Sequence, residues 1–430
     1  MKICVYGLWH LGSVTSACLA KAGHTVVGLD LNDVTINNLQ DGKAPVSEPG
    51  LNALILENIQ RKTLSFSSDP AAALAKTEVL WIGFDTPVDD EDNADVDAIK
   101  KNFDKISALI PDQVKIIISS QVPVGFTRYL REGFRKEYPG KNVYFAYSPE
   151  NLRLGKSLKT FLEPDRIIIG TDPGEKEHFY PVFSLISDRL EWMGIESAEM
   201  TKHAINAFLA TSICFANEVA TLCEQAGANA KEVERGLKTE ERIGPKAYLN
   251  PGNAFSGGTL ARDVRFLQTM GKKNNLPIYL INSVLVSNDF QKNWVQRKCV
   301  DVLGDLNGKH ITILGLTYKP GTDTLRRSMS VELCKWLKDM GSEVTAFDPA
   351  IHALPAELQP VISLAPDIIG SLESADCVII ATEWPDFRNI DSDIITMMRR
   401  KIVIDPNGFI EVILGDVQNI QYFAVGRSCL

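Results

Sequence analysis

The segment Lys2-Ile3-Cys4-Val5-Tyr6-Gly7-Leu8-Trp9-His10-Leu11-Gly12 decides the fold class of this chain. Residues 3–6 are apolar and strand-like, a turn with glycine at both ends follows, and a helical stretch continues to Lys21. A second strand, at residues 26–29, ends at Asp30. Strand, helix and strand in this order form a βαβ unit, in which the strands pair in parallel through a right-handed crossover.

The same alternation continues along most of the chain. Apolar runs at 79–83, 115–118, 143–146 and 167–169 predict further strands, and from His310 a strand, a helix over 331–340 and a strand ending in Asp348 repeat the opening plan. Residues 197–237 and 277–304 between these parts have the pattern of two long helices. We therefore predict an α/β protein with two Rossmann-like doubly wound parallel-sheet domains joined by a central helical region, with boundaries at 1–200, 201–305 and 306–430.

The composition narrows the classes of function. The net charge of -9 over 430 residues argues against nucleic acid or an anionic membrane as the main partner, because both need concentrated positive charge. Eight scattered cysteines without a CxxC pair exclude a disulfide framework and the usual zinc spacing, and no metal centre is predicted. The strand-like run at residue 2 and the lack of 18 consecutive apolar residues predict a cytoplasmic protein without a signal peptide or membrane span.

The glycine turn predicts a nucleotide site. Gly7, Gly12 and the acidic Asp30, 23 residues after Gly7, are typical of a dinucleotide site, in which backbone N–H groups bind the pyrophosphate and the carboxylate binds ribose hydroxyls. Because a carboxylate repels a 2′-phosphate, NAD is favoured over NADP. Trp9 occupies the place of the middle glycine, so its side chain must point away from the ligand. The alternative is a βαβ unit that binds no nucleotide.

Motifs spread over the whole chain resemble those of the UDP-glucose/GDP-mannose dehydrogenase family. They follow the family order from residue 3 to residue 427 and include Glu48-Pro49-Gly50-Leu51, Thr86-Pro87, Val122-Pro123-Val124-Gly125, Ser148-Pro149-Glu150, Pro164-Asp165-Arg166, Ser197-Ala198-Glu199-Met200, Arg242-Ile243-Gly244, Pro251-Gly252, Gly315-Leu316, Thr382-Glu383-Trp384 and Gly426-Arg427. The resemblance implies an amino-terminal NAD domain, a dimer-forming helical middle and a carboxyl-terminal UDP-binding domain. It also implies oxidation of a sugar C6 alcohol to a carboxylate in two NAD-dependent steps, the second through a cysteine thioester.

The resemblance assigns catalytic roles to Lys202, Asn206, Glu150 and Asp263. Lys202 and Asn206 are four residues apart on a predicted helix, so one can relay the hydroxyl proton while the other hydrogen-bonds the oxygen that becomes a carbonyl. Taken alone, such a pair is more often a solvated helix face. Asp263, by itself, is equally explained as the N-cap of a helix beginning near Val264.

The position of the family's nucleophilic cysteine is Thr259 in this chain. A threonine hydroxyl is not appreciably ionised near neutral pH without a strong adjacent base, so it does not simply replace a thiolate. Gln121 stands where the family has a threonine that helps to hold a catalytic water. The departures concentrate on the second oxidation, which predicts that the thioester step is lost.

The remaining site residues are also carried over from the resemblance. It places the cofactor against Gly7, His10, Leu11, Gly12, Asp30, Thr86, Gln121 and Arg326, and the sugar nucleotide against Leu152, Arg153, Arg242, Tyr248, Phe255, Gly258, Lys319 and Arg427. Arg242 matches an arginine that reaches a neighbouring subunit's active site, which implies a homodimer or a larger homo-oligomer.

These observations lead to three functional hypotheses. The first is an NAD-dependent dehydrogenase of a nucleotide sugar, most simply a UDP-sugar, that lacks the thioester step. The second is a two-electron alcohol oxidoreductase acting on another nucleotide sugar. The third, motivated by Trp9 and Thr259, is a catalytically silent subunit that binds a nucleotide sugar or NAD.

Overall fold

The computed structural model describes residues 1–87, 89, 94–256, 258–325 and 328–427, and for Gly258 only the backbone. These residues form two compact units, Met1–Ile205 and Asn206–Leu430.

The first unit is built around one eight-stranded sheet with the strand order β3-β2-β1-β4-β5-β6-β7-β8. Its elements are β1 (Lys2–Tyr6), α1 (His10–Lys21), β2 (Thr25–Leu29), α2 (Asp33–Gln40), α3 (Leu51–Gln60), β3 (Leu64–Ser67), α4 (Pro70–Leu74), β4 (Val79–Ile82), α5 (Val96–Ser107), β5 (Lys115–Ile118), α6 (Phe126–Glu137), β6 (Tyr144–Tyr147), α7 (Ser157–Leu162), β7 (Ile167–Thr171), α8 (Lys176–Phe183) and β8 (Leu190–Met193).

The predicted strands are present, and the predicted fold class is confirmed. One pairing differs from the expected all-parallel sheet, because β7 runs antiparallel to β6. The residues of β1 show why the sheet is covered on both faces: Ile3 and Val5 belong to one buried cluster, whereas Cys4 and Tyr6 belong to another. Successive side chains of a strand point to opposite faces, so an unbroken apolar strand has to be buried on both sides.

The second unit contains helices and a six-stranded parallel sheet with the strand order β11-β10-β9-β12-β13-β14. Helix α9 (Ile195–Ala226) begins in the first unit and continues into the second, and the elements after it are α10 (Ala230–Thr239), α11 (Gly258–Lys273), α12 (Tyr279–Lys292), α13 (Trp294–Leu303), β9 (His310–Leu314), α14 (Met329–Asp339), β10 (Glu343–Phe347), β11 (Ser363–Leu364), α15 (Ile368–Leu372), β12 (Cys377–Ile380), a 3-10 helix (Pro385–Asn389), α16 (Ser392–Ile395), β13 (Ile402–Ile404), α17 (Glu411–Leu414) and β14 (Gln421–Phe423).

Both long helices predicted for the middle of the chain are interrupted. The first ends at Ala226, because Gly227 adopts a φ of 72° and Asn229 then caps α10 by accepting hydrogen bonds from the N–H groups of Lys231 and Glu232. The second is divided at Asn293, which is the C-cap residue of α12 and also the N-cap residue of α13. Apolar periodicity continues across both breaks, so the pattern alone did not reveal them.

Helix α9 is long and apolar enough, by length and composition, to cross a membrane. A single helix of this kind is weak evidence, because core helices of soluble proteins meet the same criteria. The helix also carries Glu199 and Lys202, and both are buried by protein contacts.

Candidate active site

Both glycines of the turn between β1 and α1 lie where an added side chain would clash. Gly7 has a φ of 93°, and a Cβ atom added to Gly12 would lie 1.7 Å from the Gly7 carbonyl oxygen. The helix therefore begins directly against the end of β1, and its first N–H groups have no carbonyl partner one turn earlier. This arrangement provides donors for the phosphates of a dinucleotide.

Replacement of Gly12 by alanine is expected to lower the free energy of unfolding by at least about 1–3 kcal/mol, because the added methyl group overlaps backbone atoms. Gly133 is the matched control, since it lies inside helix α6 and a Cβ there meets nothing within 4 Å. Gly133→Ala is expected to raise stability by about 0.5–1 kcal/mol. Urea unfolding of both variants checks this, and equal stability of the two would contradict the packing argument.

The acidic residue after the second strand differs between the two sheets. In the first unit Asp30 is half-buried and accepts one backbone hydrogen bond on each oxygen, from Leu8 N–H at 3.0 Å and from Asn32 N–H at 3.0 Å. Ionised carboxylates have about four acceptor positions, so Asp30 keeps capacity for ribose hydroxyls. The residues of this turn fit NAD.

The corresponding Asp348 of the second sheet is fully engaged within its own unit. It is 1% exposed, and one of its oxygens accepts hydrogen bonds from the Leu316 N–H, from both the N–H and hydroxyl of Thr317, and from the Trp384 indole N–H. Its carboxylate holds the loop after β9 in place. Of the two carboxylates, Asp30 is therefore the one that keeps acceptor capacity suited to ribose hydroxyls.

Trp9, which replaces the middle glycine, lies at the N-cap position of α1 and is 56% exposed. Its side chain is therefore not packed into the turn between Gly7 and Gly12. The condition set by the sequence, that this side chain must point away from the turn, is compatible with this exposure.

A chain of contacts in the first unit links predicted cofactor residues to predicted catalytic residues. The Thr86 hydroxyl donates to the Gln121 carbonyl oxygen at 2.6 Å, and the Gln121 side-chain amide donates to Glu150 Oε1 at 2.5 Å. Lys202 Nζ donates to the Glu150 carbonyl oxygen at 2.6 Å and to Glu150 Oε1 at 3.3 Å. These four residues come from four segments that the sheet brings together.

The charge state of Glu150 follows from these contacts. Burial by itself raises the pKa of this carboxyl, but the Lys202 ammonium, the Gln121 amide and the Leu152 N–H together lower the pKa below its ordinary value. Glu150 is therefore an anion at neutral pH and holds Lys202 in a defined position. The side chain of Lys202 is 7% exposed and that of Glu150 is 13% exposed, so solvent screens the pair weakly.

The second unit contains a pair of residues that the sequence predicts to be catalytic. The Asn206 side-chain amide donates to the Asp263 carboxylate, and both residues are buried. Asp263 lies inside α11, which begins at Gly258, so the alternative that it is the N-cap of this helix is wrong. Thr259 precedes Asp263 by one helical turn and is exposed.

The seven cysteines of the described part of the chain are all buried and unpaired, and none occupies the loop before Thr259. Cys214 belongs to the same buried cluster as Phe255 and Ala261. Burial raises the pKa of the Cys214 thiol, which donates to the Val284 carbonyl oxygen at 3.2 Å. A buried thiol with a raised pKa is a poor nucleophile, so Cys214 does not replace the missing cysteine.

Four amide side chains, which the sequence patterns did not single out, hold the segment that leads to Thr259. Asn217 Oδ1 accepts from Gly252 N–H at 2.9 Å, and Asn288 binds both the N–H and the carbonyl oxygen of Phe255. The other two are Gln291, which donates to the Gly252 carbonyl oxygen, and Asn407, which accepts from Asn253 N–H. Asn288 and Gln291 are three residues apart on one face of α12, and this spacing is the sequence pattern that could have indicated their shared role.

The remaining predicted residues have varied surroundings. In the first unit His10 Nε2 lies 3.2 Å from Glu48 Oε2, Leu11 N–H donates to Asp85, Leu152 N–H donates to Glu150 and Arg153 is exposed.

In the second unit Tyr248 is exposed, Phe255 is a core residue, Gly258 begins α11 and Lys319 is half-buried. Arg242 pairs with Glu240, and Arg427 binds the carboxylates of Glu411 and Asp416. Arg326 lies outside the described residues. All these assignments remain predictions.

A cavity of about 360 Å³ in the second unit lies at the carboxyl ends of the neighbouring strands β9 and β12, from which the chain continues to opposite sides of the sheet. Thr317, Tyr318 and Thr382 line it from the carboxyl ends of these strands, and Ser328 and Ser330 line it from the start of α14. Ligands of open α/β sheets bind at this type of switch point. No group of three His, Cys, Asp or Glu side chains suited to a metal ion occurs among the described residues.

Three family models match successive parts of the chain. They describe the UDP-glucose/GDP-mannose dehydrogenase family: its NAD binding domain at residues 1–184, its central domain at 196–290 and its UDP binding domain at 312–412. UDP-glucose 6-dehydrogenase of Rhizobium meliloti is 32% identical over 437 residues, which covers 99% of this chain and 100% of that protein. The enzyme of the same name from Rickettsia bellii is 32% identical over 440 residues, with full coverage of both chains.

The solved structures agree with the sequence comparisons. A UDP-glucose dehydrogenase from Pyrobaculum islandicum superimposes with a TM-score of 0.88 and 29% identity, covering 99% of this chain and 98% of that chain. The fold is also shared with a UDP-D-ManNAc dehydrogenase from Pyrococcus horikoshii, with a TM-score of 0.86 and 24% identity over the full length of both chains.

Proposed function

Because this chain belongs to the UDP-glucose/GDP-mannose dehydrogenase family, whose members are NAD-dependent nucleotide-sugar dehydrogenases, we propose that it oxidises the C6 alcohol of a UDP-sugar in a single two-electron step. The observation that carries this proposal is that the residues expected for the first oxidation are present and buried, whereas the nucleophile expected for the second oxidation is absent. Lys202 with Glu150 and Asn206 with Asp263 are retained, whereas an exposed threonine stands at position 259.

Lys202 and Asn206 have hydrogen-bonding capacity left for a substrate. In the described part of the chain Glu150 accepts two hydrogen bonds from the Lys202 ammonium, which has three donors. The Asn206 amide nitrogen has two donors, of which Asp263 accepts one. Lys202 takes the hydroxyl proton as it passes one of its own ammonium protons to the Glu150 carboxylate, and Asn206 donates to the oxygen that becomes the carbonyl. When bound, NAD would supply the hydride acceptor for C6.

The reaction then ends at the aldehyde. Continuation to the carboxylate requires addition of a nucleophile to the aldehyde carbon, followed by a second hydride transfer. The Thr259 hydroxyl is a weak nucleophile, and the carboxylate of Glu150 is already occupied by Lys202, Gln121 and Leu152. The protein thus produces one aldehyde and one NADH from each sugar.

A substrate panel tests the proposed activity. The protein is mixed with NAD and a series of UDP- and GDP-sugars, and NADH is followed by its absorbance. Turnover with a UDP-sugar and little or none with the corresponding GDP-sugar is expected. Turnover only with GDP-sugars would overturn the substrate class. Absence of turnover together with measurable sugar-nucleotide binding would favour the catalytically silent subunit.

We further propose a cytoplasmic homodimer formed through helix α9. Phe208, Phe215 and Leu222 recur at intervals of seven residues on this helix and are 71%, 49% and 69% exposed. Residues seven apart lie on one side of a helix, so the three form an apolar stripe suited to a second copy of the same helix. The Arg242 side chain is 87% exposed, which is compatible with a role in a neighbouring subunit.

Replacement of Phe208 by glutamate is expected to weaken this dimer by at least about tenfold, because a charge would be buried in an apolar contact. Val34→Glu introduces the same charge at an exposed apolar residue of α2 and is expected to leave the dimer intact. Light scattering over a range of protein concentrations measures both. A monomeric wild-type protein, or equal dimer affinity of both variants, would overturn the assigned interface.

A further inference from the structure

A carboxylate occupies a donor at the start of helix α1, where the cofactor's phosphates are expected. The Leu11 N–H donates to Asp85 Oδ2 at 3.1 Å. The first hydrogen bond of the helix runs from the Ser13 N–H to the Trp9 carbonyl oxygen, so the N–H of Leu11 belongs to the group that has no partner within the helix. Such N–H groups are the ones that bind phosphate oxygens in dinucleotide sites.

The loop after β4 places Asp85 there. On one side the Gly83 N–H donates to the Tyr6 carbonyl oxygen at 2.9 Å, and on the other the Thr86 hydroxyl donates to the Gln121 carbonyl oxygen at 2.6 Å. The residues on both sides of Asp85 are therefore held in place, Gly83 by β1 and Thr86 by the loop after β5. Asp85 itself is exposed, so water can solvate its carboxylate when another acceptor binds the Leu11 N–H.

We propose that Asp85 is an internal competitor for the cofactor's pyrophosphate and thereby sets the affinity for NAD. Its carboxylate accepts from the Leu11 N–H while the cofactor is away and must turn out before a phosphate oxygen can accept from the same donor. A second effect acts in the same direction, because a negative charge beside the helix start opposes the two negative charges of the pyrophosphate. The affinity for the cofactor is lower than the turn between Gly7 and Gly12 would otherwise provide.

The inference concerns equilibrium binding of the cofactor and does not depend on which sugar is oxidised or how many steps occur. Its test therefore uses binding in place of turnover. If the proposed oxidation failed in the substrate panel, the Asp85 experiment would still give a result, since the NAD-binding domain is present in either case.

The experiment measures dissociation constants of Asp85→Asn and Asp85→Ala by isothermal titration calorimetry with three ligands. NAD and ADP-ribose both contain the pyrophosphate, whereas adenosine lacks it. Both variants are expected to bind NAD and ADP-ribose about tenfold more tightly than the wild-type protein, the usual effect of removing one charged hydrogen-bond competitor. Their affinity for adenosine is expected to stay unchanged.

Asp95→Asn is the matched control. Asp95, like Asp85, lies between β4 and α5 in the chain. Its side chain caps α5 by accepting a hydrogen bond from the Ala98 N–H at 3.1 Å. Asparagine is as good a cap as aspartate, so this variant makes the same change in net charge without touching the Leu11 donor. Its affinity for NAD is expected to equal that of the wild-type protein.

Three results would overturn the inference. The first is unchanged or weaker binding of ADP-ribose by both Asp85 variants, which would make Asp85 a helix cap or a direct ligand of the cofactor. The second is an equal gain in the Asp95 variant, which would assign the effect to net charge. The third is no detectable binding of NAD by any protein at millimolar concentration. Circular dichroism verifies that each variant is folded, and faster hydrogen exchange of the Leu11 amide in Asp85→Ala would show that the contact exists in solution.

Discussion

Replacement of Lys202 by methionine is expected to reduce kcat/KM for sugar oxidation by about 10²–10⁴-fold, the range for loss of a group that transfers or stabilises a proton. Methionine keeps most of the side-chain volume and removes the ammonium. The dissociation constant of NAD should stay within about threefold of the wild-type value, a change of less than 1 kcal/mol. Lys76→Met is the control, because Lys76 is exposed and lies after α4, and it should keep full activity.

The same variant tests the ion pair through the pH dependence of stability. In the wild-type protein the pKa of Glu150 is lowered, so this carboxyl contributes stability above its ordinary pKa, and the contribution is lost as the pH falls through the lowered value. Without Lys202 the burial of Glu150 is expected to raise the pKa of this carboxyl. Ionised Glu150 then destabilises the folded protein at neutral pH, which is the opposite of its effect in the wild-type protein. Lys202→Met is therefore expected to lose about 3–5 kcal/mol at neutral pH and less than that below pH 4.

A double variant separates this effect from a packing defect. In Lys202→Met with Glu150→Gln no buried carboxylate remains, so most of the stability at neutral pH should return and the pH dependence of the loss should vanish. Urea unfolding from pH 3.5 to 7.5 measures all three proteins. A loss for Lys202→Met that is independent of pH would contradict the assignment of an ionised, buried Glu150. Retention of activity by Lys202→Met would contradict its role in the reaction.

Replacement of Thr259 by cysteine is expected to change the yield from one NADH per sugar to two. The wild-type protein should release an aldehyde, which a hydrazine reagent or borohydride traps. A thiolate at position 259 adds to the aldehyde carbon, and the resulting thiohemiacetal can lose a second hydride to give a thioester. The first oxidation should keep its rate within a few fold, because Lys202 and Asn206 are unchanged.

The measurements are the NADH yield at complete consumption of limiting sugar and the mass of the intact protein. If Gln121 and Leu152 prevent Glu150 from activating water, the cysteine variant should stop after one turnover with the acyl group attached, visible as an increase in mass. Thr259→Ser, which lacks a thiolate, is the matched control and should resemble the wild-type protein. Two NADH per sugar from the unaltered protein would refute the single-step reaction.

The sequence by itself determined the first strands of both sheets and the absence of a cysteine at position 259. Short apolar runs specify strands, because strand formation depends on the local pattern of side chains, and the glycines of the first turn specify a strand–helix contact that admits no Cβ. The identity of residue 259 is likewise a property of the sequence, and it raised the question of the second step before any geometry was known. The motif order assigned the family for the same reason.

Only the tertiary structure showed which of these residues form hydrogen bonds with each other. Asp30 and Asp348 follow equivalent strands, yet only the packing of Trp384 and Thr317 shows that the second is fully engaged. The contact of Leu11 with Asp85 joins residues 74 apart, and the one of Gln121 with Glu150 joins residues 29 apart. Contacts of this kind depend on how β4, β5 and β6 are aligned in the sheet, and that alignment is a product of long-range packing that no local pattern encodes.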